Sequence, residues 1–144
     1  MTAADEALLA SFANATLASL AHRDHVRVAW LYLRRDPLWI ALPRFCADLR
    51  RFAASAGKPN LYHETITWAY FLILQERMHD RPEPDSWEAF AAANADLLRW
   101  RPSVLERYYT AETLFSERAR RAFVLPDRLD GARRATSLHP RTHA

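Results

Sequence analysis

Only two glycines, Gly57 and Gly131, occur in 144 residues, and that scarcity constrains the fold more than any motif does. Tight turns between strands need residues that accept positive φ, and glycine is their usual source. A chain this poor in glycine is expected to be all-α. Its apolar half and 12% aromatic content suit a globular core, and its length suits one domain rather than two. The expectation is a compact single-domain bundle of about five to seven helices around a central apolar helix at about 61–79.

Helix punctuation supports this reading. Thr2 with Asp5 has the pattern of a capping box, opening a helix to about Asn14. A second helix starts between Ser19 and His22 and runs through "VRVAWLYLRR" to Arg35. Asp36 is then expected to cap, with Pro37 in a first helical turn. Pro43 predicts a break, leaving a short turn at 37–42 and a helix over 43–56 that Gly57 closes. Asn60 is the expected cap of the longest apolar segment, "LYHETITWAYFLILQERMHD". Its Ile66, Ala69, Tyr70, Ile73 and Leu74 form a helical stripe that Phe71 and Leu72 widen towards all-round burial. After "RPEPD", Asp85 with Glu88 predicts a capped helix to Leu98. A short helix from Pro102 would hold Tyr108 and Tyr109, and Ser116 would cap a last one ending near Leu125. The helical domain is thus expected over 1–126, with a basic, disordered tail over 127–144.

The net charge of +3 is unevenly placed: residues 117–144 carry +4 and the rest −1. A neutral body with a basic tail argues weakly for nucleic acid, so none is expected as a partner. Cys46 is alone, which excludes an intramolecular disulfide. The acidic start "MTAADEALLA" lacks the basic region of a signal peptide, and no apolar run approaches the roughly 18 residues of a membrane span. A cytoplasmic protein without membrane contact is expected; a homodimer is compatible with the sequence.

The stretch "LAHRDHVRVAW" carries the strongest chemical signal. His22 and His25 lie three apart, so on a helix their Cβ atoms are roughly 5–6 Å apart, close enough to share one ion. Solvent-facing histidines near a helix end are the plain alternative for this pair alone. "YHET" shifts the balance, because His63 and Glu64 open the central helix. If the starts of the two helices meet, His22, His25, His63 and Glu64 supply three nitrogens and a carboxylate, a set that suits zinc, copper or non-haem iron. Neighbouring helix positions diverge by about 100°, so His63 and Glu64 would divide the roles of ligand and general base. An acid in a first turn is also favourable by itself, which accounts for Glu64 but not for His63.

Other candidates are weaker. Glu76 and His79 in "ERMH" have the spacing of di-iron bundles, but no second such motif exists, and a polar helix end is the simpler reading. Arg27 could hold a substrate carboxylate, or form a salt bridge with Asp24 or Glu64, the favoured option. Trp30, Trp68 and Tyr70 read as core, though Tyr62 and Trp30 could line a site. Thr65 and Thr67 could bond back to their own helix or orient a ligand. No phosphate loop, Gly-x-Ser-x-Gly, Cys-x-x-Cys or dinucleotide fingerprint is present, and Cys46 has no nearby histidine in sequence.

Residues 22–33, "HRDHVRVAWLYL", and 62–68, "YHETITW", together resemble a group of small uncharacterised helical bacterial proteins. These carry His-x-x-His-x-Arg-x-Ala-Trp and Tyr-His-Glu-Thr at comparable spacing, and "FVLPD" is similar to their ending. The resemblance spans residues 12–127 and implies a shared site at His22, His25, His63 and Glu64 without naming a reaction. The chain is shorter before His22 than others of the group, with Ala21 where Thr often stands.

These observations lead first to a small metal-dependent enzyme acting on a small-molecule substrate, with His22, His25, His63 and Glu64 holding a divalent transition metal. Glu64 and Arg27 are its candidate catalytic residues. Non-haem iron or copper would imply oxidative chemistry, slightly favoured, and zinc would imply hydrolysis. The alternative is a metal-free helical module whose histidines bind an organic ligand or a partner. A third, weaker reading is a nucleic-acid-associated regulator using the arginine tail.

Overall fold

A computed structural model describes residues 1–80 and 86–128. Among these residues every regular element is helical, as the glycine count implies. The helices are α1 (Ala3–Ala13), α2 (His22–Arg35), α3 (Leu38–Ser55), α4 (Glu64–Asp80), α5 (Trp87–Ala93), α6 (Ala111–Leu114) and α7 (Glu117–Arg121). Short 3-10 turns at Pro59–Leu61, Ala95–Leu98 and Val104–Arg107 complete the chain.

The Thr2 side chain accepts from the Asp5 amide and the Asp5 carboxylate accepts from the Thr2 amide, the expected capping box of α1. Helix α3 ends in a Schellman turn with Gly57 at φ 73°. The Lys58 amide donates to the Ala53 carbonyl and the Gly57 amide to that of Ala54. Helix α1 ends in the same turn but places Ala15 at the left-handed position, φ 55°. There the Thr16 amide reaches the Ser11 carbonyl and the Ala15 amide that of Phe12.

Several boundaries differ from expectation. Leu38–Ser55 form one helix with Pro43 inside it, not a turn and a helix. The amide that proline lacks would have bonded the carbonyl of Trp39, and both residues face solvent. Ala41, Leu42 and Phe45 hold the other face in the core. Pro37 rather than Asp36 occupies the N-cap of α3, and Asp36 closes α2 while accepting a hydrogen bond from Arg44. The proposed cap Asp85 lies outside the described residues; Ser86 accepts from the Ala89 amide and caps α5, which stops at Ala93. Ser103, not Pro102, caps the 3-10 turn before Tyr108. Ser116 caps the last helix as expected, but α7 ends at Arg121. The unanticipated α6 is capped by Thr110. The body continues past 126, since Asp127 accepts from Thr110 and Thr113 and the Arg128 amide donates to the Tyr108 carbonyl. Residues 129–144, most of the expected tail, lie outside the described residues.

Helix α2 packs against α1, α3 and α4, and α4 also packs against α3 and α7. Two aromatic clusters flank α2. On one side Phe12, Tyr32, Phe45 and Phe71 meet, with the Phe12 and Phe45 rings stacked at 5.5 Å and those of Phe45 and Phe71 tilted at 5.2 Å. On the other, Trp30 packs on Trp87 and Phe90. From Glu64 to Gln75 no residue of α4 is exposed, which matches the breadth of its apolar pattern.

Candidate functional site

The first turn of α2 and the start of α4 open onto one cavity of about 520 Å³, a size typical of small-molecule sites. His22, His25 and His63 all line it, together with Phe45, Leu49, Phe52, Ile66, Phe71 and Leu74. The three histidines therefore share one cavity, but among the described residues they do not form a metal-holding group. What each imidazole can do there depends on which of its nitrogens is already engaged.

His22 is the first residue of α2. Its Nε2 lies 2.9 Å from the Leu97 carbonyl oxygen, and a carbonyl only accepts, so this nitrogen carries the proton. The Nδ1 lone pair is left free. Burial pushes its pKa below the usual value, and the bond to Leu97 opposes that shift. The ring packs against Tyr70 at 5.0 Å and Trp100 at 5.3 Å. His25 lies one turn further on and is pushed down to about 4, first by burial and then by His22. It is neutral at pH 7, and among the described residues no side-chain hydrogen bond engages its ring. The surface it retains faces the cavity.

His63 is differently employed. Its Nδ1 accepts from the Ile66 amide at 3.1 Å, and the Thr67 amide donates to its carbonyl. These are the marks of an N-cap, so His63 and not Asn60 starts α4. Its Nε2–H donates to the Leu114 carbonyl at 2.7 Å. Both nitrogens are used, and burial first, then the neighbouring Arg120, keep the ring neutral against the opposing pull of the Leu114 bond. A neutral cap also removes the objection to a histidine at the positive end of a helix.

Glu64 does not face this cavity. Its Oε2 accepts from Arg50 at 2.8 Å and its Oε1 from the Tyr62 hydroxyl at 2.7 Å. It lines an outer groove with Arg50, Asn60 and Arg121, which shares Tyr62 and Arg120 with the cavity wall. Arg27 is also elsewhere, donating twice to the buried carboxylate of Asp5, 2.5 and 3.1 Å away. Burial would raise the Asp5 pKa, but the Thr2 amide and Arg27 outweigh it and hold the carboxyl below its usual range. Arg27 thus ties α2 to α1 and is not a cavity residue, and its partner is neither Asp24 nor Glu64.

The other candidates resolve individually. Glu76 and His79 are exposed near the end of α4, while Arg77 forms a forked pair with Asp96 at 2.6 and 2.7 Å. The Thr67 hydroxyl bonds back to the His63 carbonyl. The Thr65 hydroxyl donates to the Ala122 carbonyl and accepts from the Val124 amide, tying the C-terminal strand of chain to α4. Trp30 is core, whereas Tyr62 and Tyr70 line the cavity. Burial raises the Cys46 thiol above its ordinary pKa, so it stays protonated. Sequence reasoning missed Lys58, Trp100, Phe115 and Arg120, which complete the cavity wall. Their positions depend on how 3-10 turns and short helices fold back, and carry no periodic signal.

Among the described residues no group of three or more His, Cys, Asp or Glu side chains is arranged to hold a metal ion, and no helix is long and apolar enough to cross a membrane. Comparison with protein-family models, with curated proteins and with solved structures found no match.

Proposed function

We propose that this protein binds a small, largely apolar organic molecule in the three-histidine cavity without the help of a metal. The observation that carries the reading is His25, a neutral imidazole without a hydrogen-bond partner among the described residues, lining a largely apolar cavity. A ligand hydroxyl or amide would give this half-buried ring a hydrogen-bond partner inside the cavity, a gain of about 1 kcal/mol. A pKa near 4 makes His25 a poor general base at pH 7, because base catalysis favours groups that titrate near the working pH. Recognition therefore suits this residue better than proton abstraction.

The four residues expected to hold a transition metal fit that role poorly. His63 has no free lone pair, and both oxygens of Glu64 are engaged with Arg50 and Tyr62. The metal-dependent enzyme remains as a second reading on one observation: His22 Nδ1 and the His25 ring are uncommitted and one turn apart. Two imidazoles would leave a zinc, copper or iron ion short of the ligands such sites normally have.

Fluorescence titration with N-phenyl-1-naphthylamine, a neutral apolar probe bearing one N–H, tests the first reading. Saturable binding that His25→Leu weakens about tenfold, unchanged by chelator, is the expected result. Absence of saturable binding by the folded protein would sink it. Tight uptake of zinc, iron or copper that His22→Ala abolishes would establish the second reading instead.

A further inference from the structure

The mouth of the cavity adds positive charge to exposed apolar side chains. Leu61 is 70% exposed, Phe115 65% and Trp100 41%, and all three line the cavity. Large apolar side chains held at the surface around an opening are uncommon unless something covers them. The charged residues lining the cavity are Lys58 and Arg120, both cations, and no carboxylate lines it with them. Lys58 makes no ion pair among the described residues. Arg120 donates to the Asn60 carbonyl and lies 3.7 Å from Glu117, which leaves several of its five N–H donors free. The body outside the C-terminal 28 residues carries −1, so this positive opening is a local feature and not part of a general basic surface.

Resting on the pocket reading above, we infer that the ligand is a monoanionic amphiphile. Its apolar body, aliphatic or aromatic, fills the cavity, and its carboxylate meets Lys58 and Arg120 at the mouth. Leu61, Phe115 and Trp100 then cover the methylenes nearest the head group, which explains apolar side chains beside cations. The Arg120 guanidinium is close enough to His63 to disfavour its protonation, so its charge is felt at the cavity wall. A cationic amphiphile would meet two like charges, and a neutral one would leave Lys58 without a counter-charge among the described residues.

Displacement of bound N-phenyl-1-naphthylamine from the full chain by decanoate, decanol and decylammonium provides the test. Decanoate should displace the probe about tenfold more tightly than decanol, with decylammonium weakest. Lys58→Met and Arg120→Met should each weaken decanoate several-fold and leave decanol unchanged. Equal displacement by all three compounds, or a decanoate affinity untouched in both variants, would overturn the inference while leaving the pocket intact. Failure of the probe itself to bind would overturn the pocket reading and this inference with it. The Lys58 side chain makes no hydrogen bond among the described residues, so Lys58→Met decides the matter even if Arg120→Met lowers stability.

Discussion

His63→Ala separates a structural imidazole from a ligand-binding one. The substitution removes two hydrogen bonds at once. Loss of an N-cap side chain costs about 1 kcal/mol. The Leu114 carbonyl also loses its donor, and Leu114 is 4% exposed, so that loss costs about 1–2 kcal/mol more. The expected destabilisation is therefore about 2–3 kcal/mol. For a domain of this size it corresponds to a fall in Tm of roughly 5–10 °C. Urea unfolding followed by far-UV circular dichroism, at pH 8 where the imidazoles are neutral in both states, measures it without a protonation contribution. His63→Asn should recover about 1 kcal/mol, because Asn caps well but cannot reach Leu114. A change below about 0.5 kcal/mol for His63→Ala, within the range of ordinary surface substitutions, would refute the argument. So would an Asn variant no more stable than the Ala variant.

The remaining expectations concern pH, turns and the C-terminal tie. The folded pKa of His25 lies near 4 against an ordinary 6.5, so the unfolded chain binds the extra proton between these values. Stability from this group is full above pH 6.5 and should fall by on the order of 3 kcal/mol as pH drops to about 4, with His22 and His63 acting in the same direction. A urea series should show this slope, and His25→Leu should flatten it by one proton; an unchanged slope would contradict the assignment. At the left-handed turn positions, Gly57→Ala should destabilise by about 1 kcal/mol and Ala15→Gly should stabilise by about 0.5–1 kcal/mol. A Cβ at Gly57 meets nothing within 4 Å, so only backbone strain is measured there. Thr65→Val keeps the shape but removes the one hydroxyl that partners both the Ala122 carbonyl and the Val124 amide; a loss of about 2 kcal/mol is expected. Faster hydrogen exchange at Val124 should accompany it, and an unaltered rate would show that the tie is dispensable.

The sequence carried much of this architecture, because helices advertise themselves locally. The Thr2–Asp5 box, the Gly57 stop and the broad apolar face of α4 each depend on residues a few positions apart. The Pro43 error shows where local rules stop: burial of Ala41, Leu42 and Phe45 outweighs one missing hydrogen bond on a solvent face. At the site, it was legible from motif spacing that the starts of α2 and α4, with His22, His25 and His63, come to one cavity. The occupation of their nitrogens was not, since it is decided by Leu97 and Leu114, whose carbonyls lie 75 and 51 residues away in the chain. Glu64 and Arg27 were misplaced for a related reason. Their sequence neighbourhood says nothing of Arg50 or Asp5, which the tertiary fold brings to them.

The bond from His63 to Leu114, with those from Thr65 to Ala122 and Val124, also sets an order of events during synthesis. Helices α1 to α4 can pack from the first 80 residues, through contacts of short and middling separation. At that stage the cavity is an open trough, with Phe71 and Leu74 lying where Leu97, Trp100 and Phe115 have yet to arrive. Contacts spanning more than 50 residues close it last, and such contacts form slowly because the intervening loop must first be ordered. A nascent chain stalled before residue 114 would present that apolar trough to chaperones and to other chains. A molecule able to occupy the trough at that stage would act as a template for the final closure.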